Sequence, residues 1–236
     1  MLIEKTVNSI TELFQLLGKY QYSRAWIFRG QQNYSWKLIP KIGRTNFREK
    51  LNQISEIDLF ESWKRYALHY LDKEPINNFD WLTLAQHYGL VTRLLDWTKN
   101  PLSALYFLTE YNDKCDAALF CIEVLKSDSD LPDNPFACDK FIIFLPKGLS
   151  ARIISQRSIF TISNNPHIPL EDALNRKIHK IKIPGVLIPP LKEHLDFYGV
   201  NIFSIYQDLD SISKYLNEFL LSSSDGQIIL DNRPFG

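Results

Sequence analysis

The chain has 236 residues, 27 Lys or Arg against 27 Asp or Glu, and an apolar share of 45%. That composition excludes disorder from low hydrophobicity or excess charge, and a chain of this length needs no disulfide or metal staple to bury a core. Apolar runs such as Phe141–Leu145 fall far short of the roughly 20 residues that cross a bilayer. Met1–Thr6 lacks the charged-then-apolar order of a signal peptide. A soluble, cytoplasmic protein with no membrane partner is the expectation. Cys115, Cys121 and Cys138 form no CxxC, so they read as buried reduced thiols; His69, His87, His167, His179 and His194 form no HxxxH or HExxH, and no metal is expected. Charge is unevenly spread, because residues 1–50 hold nine Lys or Arg and three acids, a formal +6 that the remainder balances. Such a surface attracts phosphates or is simply a solvated face.

In chain order, Ile10, Leu13, Phe14 and Leu17 lie on one helix face, with Asn8 or Ser9 as N-cap, Glu12 at capping-box distance from Ser9 and Gly18 at the end. Ala25–Phe28 reads as a strand that stops at Arg29-Gly30, and 56–71 as an amphipathic helix. Residues 81–88 read as a shorter helix with Asp80 as cap. Arg93–Trp97 reads as a strand, and Asn100-Pro101 opens a helix to Glu110. Strands follow at 117–124, 141–145, 159–162, 178–183 and 200–205; helices are expected at 149–156, 189–198 and 208–221. No repeat, low-complexity tract or linker interrupts the chain, so one domain over 1–236 is expected. Helices and strands mix without a strict βαβ repeat, which argues for an α+β fold.

Three stretches carry chemistry. In Phe28-Arg29-Gly30 the guanidinium offers planar donors for phosphate or ribose oxygens, and Gly30 lets a ligand approach the backbone; the plainer account is an ion pair and a turn. The block from Gln86 to Pro101 is denser. It sets His87 at a helix end, Thr92 and Arg93 at a turn, Asp96, Trp97 and Thr98 at a strand end, and Asn100 before a helix whose N-terminus favours anions. Trp97 would stack on a planar ring, Asp96 would accept hydrogen bonds, and His87 would exchange protons near neutrality. The competing account pairs Asp96 with Arg93 and buries Trp97 in the core. Third, Gln156 lies between a helix and a strand, flanked by Arg152 and Arg157, as a ligand-orienting or a capping amide.

Phe28-Arg29-Gly30 and the block His87–Thr98, with Asn100-Pro101-Leu102 and Ala104, resemble the FRG domain. Arg152–Phe160 resembles its later element, with Ser158 where a glycine is usual, and Gly199-Val200 and Leu209-Asp210 resemble its C-terminal end, so the resemblance spans roughly residues 20–215. It implies a bacterial or phage-borne protein, an effector in a toxin or phage-defence system with an antitoxin or other defence protein as partner.

The order Arg29-Gly30, then Asp96-Trp97-Thr98 before a helix, then Gln156 is also similar to the three elements of ADP-ribosyltransferases. That similarity implies a single α+β domain with a mixed or antiparallel, split β-sheet flanked by helices, NAD as cofactor, and a nucleic-acid or protein acceptor. It implies Arg29, His87, Asp96 and Gln156 as catalytic residues and Arg29, Gly30, Arg93, Trp97 and Thr98 as the NAD-binding set. The departure is Gln156, where Glu usually steers the acceptor. A non-catalytic nucleotide or nucleic-acid sensing module is the alternative, and a metal-free nuclease built on His87, Asp96 and Arg93 is a third reading.

Overall fold

Seven strands form one mixed sheet in the order β1-β7-β4-β2-β3-β6-β5. The structure is a computed structural model and describes residues 1–23, 25–50, 54–112, 114–146 and 158–222. The strands are β1 (Leu2–Thr6), β2 (Trp26–Gln31), β3 (Leu95–Thr98), β4 (Ala117–Glu123), β5 (Ile142–Phe144), β6 (Ser158–Ile162) and β7 (Ile178–Ile183). The β1–β7 pair is parallel and every other pair is antiparallel. The longer described helices are α1 (Ile10–Gly18), α3 (Glu56–Ala67), α4 (Asn78–His87), α5 (Pro101–Thr109), α7 (Ile188–Phe197) and α9 (Leu209–Ser222); α2 (Thr45–Arg48), α6 (Leu170–Ala173) and α8 (Ile202–Tyr206) are short. No helix of the described residues is long and apolar enough to cross a membrane.

Local sequence explains most of these boundaries. The Ser9 hydroxyl accepts the Glu12 N–H, while the Glu12 carboxylate takes the Asn8 N–H, so both candidate caps take part in opening α1. Asn100 accepts the Leu102 N–H ahead of Pro101. Asn77, not Asp80, caps α4, and its Oδ1 accepts the Asp80 N–H. The expected strand at 200–205 is a helix, α8, because Asn201 and Ser204 cap each other reciprocally and override the apolar run. β2 does not stop before Arg29-Gly30 but runs through both. Of the three thiols, Cys121 and Cys138 are buried, but Cys115 is exposed, since it lies in the polar loop before β4. The helix expected at 149–156 lies outside the described residues.

The sheet is buried on both faces. In β4, Ala117, Leu119 and Cys121 join the core under α1, α5 and α7, while Ala118, Phe120 and Ile122 join the core on the other face, as strand alternation requires. Phe60 of α3 and Phe79, Trp81 and Leu82 of α4 pack on Phe144 and Phe160 in a third cluster at the β6–β5 end. Cross-strand pairing puts Phe28, Thr98, Asp96 and Phe160 on one face, so the first and third clusters share that face and leave a gap between them. The gap lies where the ladder fails: β2 pairs with β4 at six positions but with β3 at one, Phe28 with Thr98. The α+β class and the mixed sheet flanked by helices are thus as expected.

Candidate functional site

A cavity of about 290 Å³ fills this gap, with β2 and β3 as its floor and α4 and α5 as its walls. Arg29, Gly30, His87, Asp96, Trp97 and Thr98 all line it, together with Thr83, Gln86 and Ser158. Arg29 and Asp96, 67 positions apart in sequence, are brought together here because β2 and β3 are sheet neighbours, while α4 and α5 flank β3 in the chain.

The Arg29 guanidinium reaches from β2 to β3. Its Nη1 donates to the Asp96 backbone carbonyl at 2.7 Å and lies 3.6 Å from the Asp96 carboxylate. A side-chain bond thus joins two strands where the backbone ladder has stopped. The Arg29 side chain is 16% exposed and that of Asp96 57%, so the cation is held inside and the anion faces the opening. Burial pushes the Arg29 pKa down, the Asp96 carboxylate pulls it back up, and nearby Arg44 lowers it further. Even so, a guanidinium remains charged at any ordinary pH. Asp96 is oriented from its other side: the Gln86 amide donates to its Oδ1, and the Thr92 hydroxyl donates to the Gln86 carbonyl oxygen.

Among the described residues, two buried polar atoms at the cavity have no hydrogen-bond partner, Arg29 Nε and the Thr83 hydroxyl. A buried donor left unpaired costs roughly 1–3 kcal/mol, so such atoms belong where something else supplies the partner. Thr83, Gln86 and His87 were not read together from the sequence, although positions 83, 86 and 87 share one face of a helix.

Other expected site residues have different surroundings. The Trp97 indole belongs to the core on the opposite face, where its Nε1 donates to the Thr161 hydroxyl at 2.9 Å, so the ring is not the stacking wall of the cavity. Arg93 does not line the cavity; it makes a bidentate pair with Glu56 (2.7 and 3.0 Å), donates to the Pro135 and Phe136 carbonyls, and lies over the Phe136 ring. Asp96 therefore pairs with Arg29 rather than Arg93. A Cβ on Gly30 would lie 1.9 Å from the Ala104 carbonyl oxygen, so the absence of a side chain there admits the α5 backbone. The Thr98 hydroxyl accepts the Asn100 N–H, which joins β3 to the cap of α5. Gln156, Arg152 and Arg157 lie outside the described residues. No group of three His, Cys, Asp or Glu side chains suited to a metal ion occurs among the described residues.

Residues 24–117 match the model of the FRG domain. The matched stretch contains β2, α4, β3 and α5, and with them every cavity-lining residue except Ser158 and Phe160. It ends at the first residue of β4, so the later likenesses at 152–160, 199–200 and 209–210 lie beyond it. No curated protein and no solved structure matches the chain.

Proposed function

We propose, on the premise that this chain carries an FRG domain over residues 24–117, that it is an NAD-consuming enzyme of the ADP-ribosyltransferase kind, an effector that acts in a toxin or phage-defence setting. The observation that carries the reading is the pairing of a buried guanidinium with an exposed carboxylate at the break between β2 and β3, beside two unmet polar atoms. In this reading Arg29 holds a phosphate of the dinucleotide through its unpaired Nε, and the Thr83 hydroxyl meets the ribose or the carboxamide. The bond between ribose C1′ and the nicotinamide nitrogen breaks, and its electron pair leaves with nicotinamide. Positive charge then develops on the ribose, and Asp96 stabilises it. His87, at the end of α4 on the cavity wall, takes the proton of the acceptor that attacks C1′. Gln86 is a positioning residue that holds the Asp96 carboxylate.

Nicotinamide release from NAD, followed by chromatography, tests this. The wild-type chain is expected to release it, and Asp96→Asn to release it about 100-fold more slowly or worse, with Arg29→Lys weakening NAD binding. Equal circular dichroism spectra show that the variants fold. Absence of both NAD binding and nicotinamide release overturns the proposal. Binding without release favours the second reading, a non-catalytic nucleotide module, whose support is that the Asp96 carboxylate is already engaged by the Gln86 amide and the Arg29 guanidinium.

A further inference from the structure

Beside the cleft lies a second hollow of about 900 Å³, bounded by Gln31 at the end of β2, the segment from Ser35 to Glu49, and His167. Two polar atoms buried here also lack a partner among the described residues, Gln31 Oε1 and His167 Nδ1. Gln31 is only 5% exposed, and its amide nitrogen is used, donating to the Lys37 carbonyl at 3.3 Å, so the oxygen is the group it has left to offer. A Cβ on Gly43 would lie 1.8 Å from the Pro166 carbonyl oxygen. The bare glycine thus lets two loops press together and sets His167 and Arg44 on one rim.

Three cations line the hollow, Lys37, Arg44 and Arg48, against one acid, Glu49. Lys37 approaches a carboxylate only at 4.0 Å, on Glu171, and among the described residues Arg44 and Arg48 make no ion pair. Trp36 lies in the same lining with 49% of its surface exposed. Two cations without an ion pair among the described residues, a third in one long ion pair, an exposed indole and two hydrogen-bonding atoms left over are what a single strand of nucleic acid requires. Phosphates meet the cations, a base stacks on the ring, and its edge meets the amide and the imidazole.

We infer that this hollow binds single-stranded nucleic acid. Arg44 also lines a smaller pocket with Lys41, Arg29 and Asp96, so one row of cations leads from the hollow to the cleft. A strand seated on Trp36 is thereby directed toward Asp96. That the strand is the acceptor in the cleft rests on the reading given above; that it binds does not.

Fluorescence anisotropy of a labelled single-stranded oligonucleotide, titrated with the full chain at increasing salt, tests the site. Three phosphate contacts at about 0.7 each predict a slope of log K against log salt of about −2. Arg44→Glu with Arg48→Glu is expected to weaken binding at least about tenfold and flatten that slope. Trp36→Ala is expected to weaken it about tenfold while leaving the slope alone, because stacking is not screened. All three side chains are exposed, so the variants should fold as wild type does, which thermal melting checks. Lys19→Glu, the same charge change on an exposed residue outside the hollow, should leave affinity within about twofold. No binding at low salt, an equal loss with Lys19→Glu, or duplex binding as tight and indifferent to Trp36 would each overturn the inference. Arg48→Glu and Trp36→Ala should still release nicotinamide at the wild-type rate without oligonucleotide. A chain that never consumes NAD but shows the anisotropy pattern would sink the cleft reading alone.

Discussion

Arg29 and Arg93 show how little a residue type says without its partners. Arg93 is 9% exposed and directs its guanidinium at Glu56 and two backbone carbonyls, tying α3 and the 135–136 turn to the start of β3. Arg29 has one strong backbone contact and a buried Nε with no partner among the described residues. One arginine is satisfied by the fold and the other is not, and only the second belongs to a candidate site. The expectation for the first is a stability effect. Glu56→Ala leaves the Arg93 charge buried without its partner and should destabilise the chain by about 3 kcal/mol, read from urea unfolding monitored by tryptophan fluorescence. A change within the error of that measurement would mean that the pair is solvated and that Arg93 is available for other work.

At the scale of elements, the contact that shapes the cleft is α5 on β2. The Ala104 carbonyl occupies the space above Gly30, and the Leu108 N–H lies 3.0 Å from where a Cβ would be. Gly30→Ala therefore cannot be absorbed by a side-chain rotation; the helix backbone must move. A loss of about 3 kcal/mol or more is expected, with a lower midpoint in thermal unfolding and, on the proposed reading, weaker NAD binding because the cavity wall shifts. A Gly30→Ala chain as stable as wild type would show that α5 lies farther from the strand than described. The same contact explains what was legible beforehand. Helix starts at Ser9 and Asn100 were readable because a cap and its first turn are adjacent in sequence. β1 was not, because Leu2–Thr6 becomes a strand only by pairing with Ile178–Lys182. The strand expected at 200–205 failed for the opposite reason, since a local cap at Asn201 outweighed the apolar composition. For the candidate site, Arg29, His87 and Asp96, singled out by residue type, line one cavity. The partner of Asp96 could not be read, because Arg29 reaches it across a sheet gap that no spacing encodes.

Over the whole molecule, zero net charge conceals a basic segment between β2 and α3, and a continuous sheet conceals a break. The two coincide: the break between β2 and β3 opens beside Lys41 and Arg44. On either side of it the strands are well paired, β2 to β4 at six positions and β3 to β6 at four, so the sheet behaves as two ladders joined at Phe28 and Thr98 and by the Arg29 side chain. Amide protection depends on such pairing, because an amide without a ladder partner exchanges through small local openings rather than global unfolding. Hydrogen exchange resolved by residue should therefore find the slowest amides in β4, which is paired on both sides. Within β3, amides directed toward β6 should exchange much more slowly than those directed toward β2. On the proposed reading, NAD bound across the break would cover the unpaired edge, so it should slow the fast set and leave the slow set unchanged. Uniform protection along β3 in the free chain would mean that the ladder continues past Thr98, and that the cleft on which the enzymatic reading depends is closed in solution.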